Sequence, residues 1–190
     1  IEEPIASEEV IFVMDKFGYC KILDRNTFDK NAETVESENI YVFPVMNTDR
    51  ICIFSNVGIL YKFKVMDLGV SKLRDKGTPV DNLTKFDSSN EEILLAVSED
   101  SMNGGFILML TKNGYIKRVS GEEFKTNNKQ VASTKLNNDD VLIGVKMLGA
   151  ASNTDICIVS DAGYILRFNV SEVNEFKKST RGEKSITLGY

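Results

Sequence analysis

The apolar positions of this chain gather into four bursts of matching form, each running directly into a polar turn that ends on glycine. The bursts read IFVM from Ile11, ICIF from Ile51, ILML from Ile107 and ICIV from Ile156. Apolar residues at consecutive positions predict strands covered on both faces, because a half-exposed strand alternates. Runs this short do not suit a helix, and their β-branched content favours a strand. The turns DKFG, SNVG, TKNG and SDAG end on Gly18, Gly58, Gly114 and Gly163, as expected of hairpins with one left-handed residue before the return strand. Valine at Gly114 is expected to strain its turn, since a β-branched residue resists positive φ. The return strands GYCKIL, GILYKFKV, GYIKRV and GYILRFNV mix inward apolar residues with Lys or Arg.

The four copies keep register. An Ile stands seven residues before each glycine, and an apolar residue (Phe28, Leu68, Phe124 or Val173) stands ten after it. The glycines are 40, 56 and 49 residues apart, a period typical of propellers and solenoids. Further strands are expected over Ile40–Met46, Ile93–Ser98 and Val141–Leu148, with a shortened one at Ile186–Tyr190. Each repeat then supplies about four short strands, the content of one propeller blade. Helical turns are expected only near Val65–Leu68 and Val170–Val173. The rings of Tyr19, Tyr115 and Tyr164 are expected to pack between sheets with hydroxyls at the rim, in preference to stacking on bases. The fold class is therefore all-β, with about four antiparallel four-stranded blades arranged radially. They form one domain over 1–190, with repeats near 8–46, 50–98, 105–148 and 154–190. The chain begins with Ile, so it is expected to be a piece of a longer protein.

Composition narrows the chemistry. Histidine is absent, which removes Ser-His-Asp and Cys-His nucleophile systems and the commonest zinc ligand. Neither GxxxxGK[ST] nor GxGxxG is present, so no phosphate cradle of those types is expected. The cysteines Cys20, Cys52 and Cys157 form an odd set without CxxC spacing and sit inside or beside apolar strand positions, which fits a reduced, cytoplasmic core role better than disulfides or metal. No apolar run approaches a membrane span and no secretory signal opens the chain, so no membrane partner is expected. Net charge is −5, which alone disfavours a nucleic-acid partner. The acidity is concentrated, however. Residues 1–50 carry eleven acids and five bases, whereas residues 51–190 carry seventeen and eighteen.

The stretch KVMDLGVSKLRDKGTPVDNL, from Lys64 to Leu83, resembles the second blade of the C-terminal domain of bacterial type IIA topoisomerase A subunits, the family of DNA gyrase and topoisomerase IV. In that family a valine-rich return strand is followed by Arg-x-x-Gly-x-Pro-[Ile/Val]-x-Asn-Leu, matched here by Arg74, Gly77, Pro79, Val80, Asn82 and Leu83. EEVIFVMDKFGYCK resembles the first blade and GFILMLTKNGYIKRVSGEEF the third; ICIVSDAGYILRFNVSEV with RGEKSI resembles the fourth. The resemblance implies a β-pinwheel, a disc whose neighbouring blades exchange strands and whose basic outer edge bends double-stranded DNA. It implies no cofactor in this chain. The catalytic tyrosine, the ATP and the magnesium would belong elsewhere in the topoisomerase, within the rest of its A protein or within the ATPase B protein that partners it. One departure stands out. Gyrase A proteins carry a Gln-, Arg- and Gly-rich wrapping box after the first return strand. This chain reads RNTFDKNAETVESEN there, with Asp29, Glu33, Glu36 and Glu38, which points to a topoisomerase IV-like member.

A surface that bends DNA of many sequences needs phosphate contacts more than base contacts. Candidates are the cations that recur after the repeat glycines: Lys21, Lys62, Lys117, Arg118 and Arg167, with Lys64 closing the second return strand. Lys72, Arg74 and Lys76 alternate, so an extended segment would present all three on one side. Lys177, Lys178 and Arg181 take the corresponding place after the fourth motif. Lys72, Arg74 and Lys76 lead this set, followed by Lys117 and Arg118. A protein-binding propeller scaffold is the alternative, although WD dipeptides, kelch glycine pairs and Trp are all missing. The adjacent carboxylates Glu122–Glu123 and Asp139–Asp140 read as solvated loops rather than a glycosidase pair.

Overall fold

Each repeat glycine closes an antiparallel hairpin in the computed structural model, which describes residues 3–186. The first repeat forms β1 (Glu9–Met14), β2 (Tyr19–Leu23) and β3 (Tyr41–Met46). The second forms β4 (Arg50–Ser55), β5 (Ile59–Lys64), β6 (Thr78–Pro79) and β7 (Ile93–Ser98). The third forms β8 (Phe106–Thr111), β9 (Tyr115–Ser120), β10 (Gln130–Ala132) and β11 (Leu142–Leu148). The fourth forms β12 (Asp155–Val159), β13 (Ile165–Asn169) and β14 (Glu183–Lys184). Gly18, Gly58, Gly114 and Gly163 sit at φ of 77–84°, the left-handed conformation that their turns require.

A repeat does not build its whole blade. The sheets run β3-β1-β2-β6, β10-β5-β4-β7 and β11-β8-β9-β14, so the outer strand of each comes from the following repeat. This corrects the expectation of four strands per repeat into one blade, and it realises the strand exchange that the resemblance implied. Each incoming strand ends on the hairpin that it covers. The N–H groups of Val80, Ser133 and Ser185 donate to the carbonyls of Gly18, Gly58 and Gly114 at 3.0, 2.8 and 2.8 Å. Two entry points admit only glycine. Gly77 and Gly182 lie at φ +88° and +89°, and a Cβ there would overlap the carbonyl oxygens of Cys20 and Ile116. Among the described residues the fourth sheet holds only β12 and β13. Of the strand expected at Ile186–Tyr190, residues 187–190 lie outside the described residues, and Ile186 is not in a strand.

The core lies between sheets. Phe12 and Met14 of β1 meet Ile51 and Ile53 of β4; Cys52 and Phe54 meet Ile107 and Met109 of β8; Ile116, Leu108 and Leu110 meet Ile156 and Ile158. Consecutive residues of one burst therefore face different neighbours, which is why the bursts do not alternate. Of the residues ten after each glycine, Leu68, Phe124 and Val173 join these layers, Phe124 fully buried, whereas Phe28 packs with Ile11, Val13 and Leu23 on the outer face of the first sheet. Sheets converge at their third strands, where β7 contacts β11 and Tyr41 of β3 packs against the cluster that holds Ala96 of β7. The outer strands β6, β10 and β14 occupy the opposite edge.

The free face of the first sheet carries helices that the pattern did not predict: α1 (Arg25–Asp29) and α2 (Ala32–Glu38). Asp24 caps α1 by accepting the Thr27 N–H at 2.8 Å, and Val35 of α2 packs with Ile11, Val13 and Leu23. A third short helix, α3 (Val80–Leu83), follows β6. The helical turn at Val65–Leu68 is present and the one expected at Val170–Val173 covers Val170–Glu172; further single turns form at Asp100–Met102 and Gly121–Phe124. Cys20 and Cys52 are core residues, as expected, whereas Cys157 of β12 is exposed, which corrects its expected core role; all three are free thiols. No helix among the described residues is long and apolar enough to cross a membrane.

Candidate nucleic-acid interface

The outer edge is built by the segments that carry each exchanged strand across to the preceding sheet. Residues 69–77, 124–136 and 176–182 hold nine Lys or Arg and one acid, in a chain with 23 basic and 28 acidic residues. Positive charge is thus concentrated where the blades are joined.

Lysines beneath these segments hold them in place. Lys21 Nζ donates to the carbonyls of Leu73 and Asp75 at 2.7 and 2.8 Å. Lys62 Nζ donates to the carbonyls of Phe124 and of Thr126 (3.1 Å), with Glu99 Oε1 at 3.3 Å. Lys117 Nζ donates to the carbonyls of Lys177, Lys178 and Thr180 at 3.1, 3.3 and 2.6 Å. Every exchange segment therefore lies over an ammonium that gathers two or three of its backbone carbonyls. Lys62 and Lys117 are only 2% and 1% exposed. Their assignment to a DNA surface is corrected: they clamp the exchanged strand. The half-buried Lys21 has the same role.

Other candidates divide by their partners. Arg118 is half-buried, with its guanidinium 4.7 Å from the Phe106 ring and a buried, unpartnered Nε. Arg167 is exposed but held twice by Asp155 Oδ2, at 2.9 and 2.6 Å. Lys178 is half-buried and donates to the Glu123 carbonyl at 2.9 Å. By contrast Lys64, Lys72, Arg74, Lys76, Lys177 and Arg181 are exposed. Lys72, Arg74 and Lys76 do not share one extended strand. A turn at Leu73–Arg74, fixed where Asp75 Oδ2 accepts the Lys72 N–H at 2.8 Å, separates the two lysines.

Four exposed edge cations escaped the sequence reading: Lys125, Lys129, Lys135 and Lys184. The first three occupy the second crossing segment, 11, 15 and 21 residues after Gly114, where Lys72, Arg74 and Lys76 stand 14, 16 and 18 after Gly58. That offset was the available signal. Lys125 forms a 2.9 Å pair with Glu122, but both are exposed and such a pair contributes little.

The Gly-Tyr start of the return strands has a different meaning from the one expected. The Tyr19 ring lies under Lys76, 4.1 Å from its Nζ. The Tyr115 ring lies under Arg181 and Lys184, at 5.5 and 5.0 Å. These rings support edge cations from the incoming segment through cation–π attraction and do not fill the layers between sheets. Tyr164 is 60% exposed.

Burial pushes the Lys117 pKa down to about 8, against the opposing pull of the Glu123 carboxylate. Between that value and the ordinary 10.5, the unfolded chain binds the proton more readily than the folded one. This group's contribution to stability therefore rises as pH passes through that window, and its full cost is present below it. An NMR titration of the Lys117 ε-methylene should give a midpoint near 8. A Lys117 midpoint at the ordinary value would contradict the burial argument.

The first repeat breaks the charge pattern. Where later repeats send a basic segment across an edge, it folds into α1 and α2 and exposes Glu33, Glu36 and Glu38. Asp29 is also exposed and pairs with Arg25 at 3.1 Å.

Comparison with known proteins adds to this geometry. Residues 105–148 and 154–189 match the family described as DNA gyrase C-terminal domain, beta-propeller. The chain is 28% identical over 194 residues to the DNA topoisomerase 4 A protein of Staphylococcus epidermidis, an alignment covering 98% of this chain and 24% of that protein. It is 31% identical over 198 residues to the DNA gyrase A protein of Clostridium acetobutylicum, covering 97% of this chain and 23% of that protein. It thus spans about a quarter of the length of these curated relatives. The crystal structure of the C-terminal domain of DNA topoisomerase IV superposes with a TM-score of 0.85 at 24% identity, covering 98% of this chain and 59% of that one.

Proposed function

Because this chain belongs with the C-terminal domains of the A proteins of DNA gyrase and topoisomerase IV, we infer that it is a non-catalytic module that binds and bends double-stranded DNA. The observation that carries this reading is the segregation of cations onto the exchange segments, nine against one acid, in a chain of net charge −5. Three such segments on successive blades offer a duplex a series of phosphate contacts along one edge. Neutralising phosphates on one side releases counterions and draws the duplex toward the protein. Bending a 20–30 bp site by 40–90° costs on the order of 1–6 kcal/mol, which the counterion release at several contacts offsets.

Within the family, the exposed acids of α1 and α2 favour a topoisomerase IV-like role. They stand where a gyrase would present its basic wrapping box, and they repel phosphate at that end of the edge. The parent enzyme would then use this domain to present duplex segments for ATP-dependent strand passage, together with its ATPase B protein in the bacterial cytoplasm. The test is fluorescence anisotropy of a short random-sequence duplex across a salt series, paired with relaxation of a small DNA circle by a nicking-closing enzyme. Salt-sensitive binding without a positive linking change is the expected result. No duplex binding in dilute salt would remove the DNA reading in favour of a protein scaffold, and a clear positive linking change would make the role gyrase-like.

A further inference from the structure

Where the second and third blades meet, one cavity concentrates positive charge. Its volume is about 320 Å³, and its walls include Arg50, Lys62, Lys64 and Lys129, with Asp67 and Asn127. Arg50 and Lys64 are direct partners across the β4–β5 ladder, and Cys52 pairs with Lys62 two residues further along. The period of the strand places Arg50, Lys62 and Lys64 on one face. Like charges directly opposite each other destabilise a sheet, so this arrangement requires an explanation that the fold does not supply.

The surrounding groups leave these charges free. Lys62 is committed to Glu99 and to the carbonyls beneath the exchange segment. Among the described residues, Arg50, Lys64 and Lys129 form no salt bridge. Arg50 spends one N–H on the Thr126 carbonyl at 3.3 Å. The Asp67 carboxylate accepts the backbone N–H of Lys64 at 3.2 Å, and Asp49 accepts that of Arg50 at 2.7 Å. Lys129 arrives on the exchange segment of the third repeat, where its carbonyl accepts the Lys62 N–H at 2.8 Å. The pocket therefore exists only once the strand has been exchanged, and it then holds three cations with vacant donors.

We propose that this cavity is a seat for a phosphate group, gripped by Arg50, Lys64 and Lys129 at the junction of the second and third blades. A planar guanidinium and two ammonium groups converging on one cavity suit a tetrahedral oxyanion, and one phosphate relieves the repulsion between the paired cations. The proposal rests on the DNA reading above in taking that phosphate from a duplex backbone. The same chemistry would also accept a free phosphate compound.

The experiment uses the 190-residue chain labelled with ¹⁵N, following the Arg50 Nε–H and the Lys64 and Lys129 amides. It is titrated separately with a random-sequence duplex and with inorganic pyrophosphate. The duplex is expected to shift these signals. The exposed pair K64Q/K129Q should lower duplex affinity about tenfold at 0.1 M salt and reduce the log–log salt slope by about 0.9, as loss of one phosphate contact requires. The charge-matched control K112Q/K146Q, which alters exposed lysines on other segments, should change neither. Duplex binding that leaves the pocket signals still overturns the phosphate seat while the DNA reading stands. Pocket signals that move with pyrophosphate, in a chain that binds no duplex, keep the seat and overturn its DNA source. A double variant indistinguishable from the control overturns the assignment of Lys64 and Lys129.

Discussion

Lys62→Met is expected to destabilise the domain by about 3 kcal/mol, because it removes the donor from buried acceptors and leaves Glu99 without its partner. Methionine keeps most of the side-chain volume, so the loss reports the ammonium and not a cavity. In a domain of this size the change corresponds to a fall in Tm of roughly 6–12 °C. Urea denaturation gives the energy, and hydrogen exchange gives its location. Protection should fall first at Lys62 N–H, which donates to Lys129 as the exchanged strand arrives, and at Ser133 N–H, which donates to Gly58. A loss below about 0.5 kcal/mol, within the range of an ordinary surface substitution, would show that the exchange segment is held by other means.

The second large effect concerns affinity with the fold preserved. Lys72, Arg74 and Lys76 are exposed, and the segment carrying them is held by Lys21 and by Asp75 through backbone groups that alanine retains. The triple alanine variant should therefore fold normally, losing only the cation–π contact of Lys76 with Tyr19. Duplex affinity should fall about a hundredfold or more at 0.1 M salt, and the salt slope should flatten by about 2.7, since each phosphate contact contributes about 0.9. The loss should be similar for duplexes of unrelated sequence, because phosphate contacts carry no base information. Equal affinity and slope in the variant would remove this segment from the interface.

Local signals carried most of the fold. The hairpins were legible because burst, turn and glycine are contiguous, and their boundaries agree closely with β1–β2, β4–β5, β8–β9 and β12–β13. The destination of the outer strands was not legible from periodicity. A two-residue strand such as Thr78–Pro79 has no pattern of its own, and its pairing with Tyr19 and Cys20 spans about sixty residues of chain. Only the family resemblance implied it. The helices α1 and α2 escaped because they are five and seven residues long, and α2 buries a single apolar residue, Val35.

The candidate site shows a different kind of error. Recurrence of a basic residue three or four places after the repeat glycine was a true signal, but its cause was misassigned. A charge that recurs at a fixed place in a β-repeat can answer a recurring structural demand, here the carbonyls of a segment crossing between blades. Lys62 and Lys117 look like surface cations in sequence because nothing local reveals the strand that later covers them. The actual edge cations follow further along each repeat, in segments whose spacing varies with loop length. Lys125, Lys129 and Lys135 were missed for that reason, while Lys72, Arg74 and Lys76 were noticed because they alternate.

Exchange segments on successive blades are proposed to form one basic edge that curves a duplex around it. Energy transfer between dyes at the two ends of a 40-bp duplex, measured at saturating protein in dilute salt, tests it most directly. Transfer should rise on binding, added salt should reverse the rise, and the Lys72, Arg74 and Lys76 alanine variant should give a smaller rise when saturated. A duplex that binds fully with its ends no closer than in free DNA would contradict it.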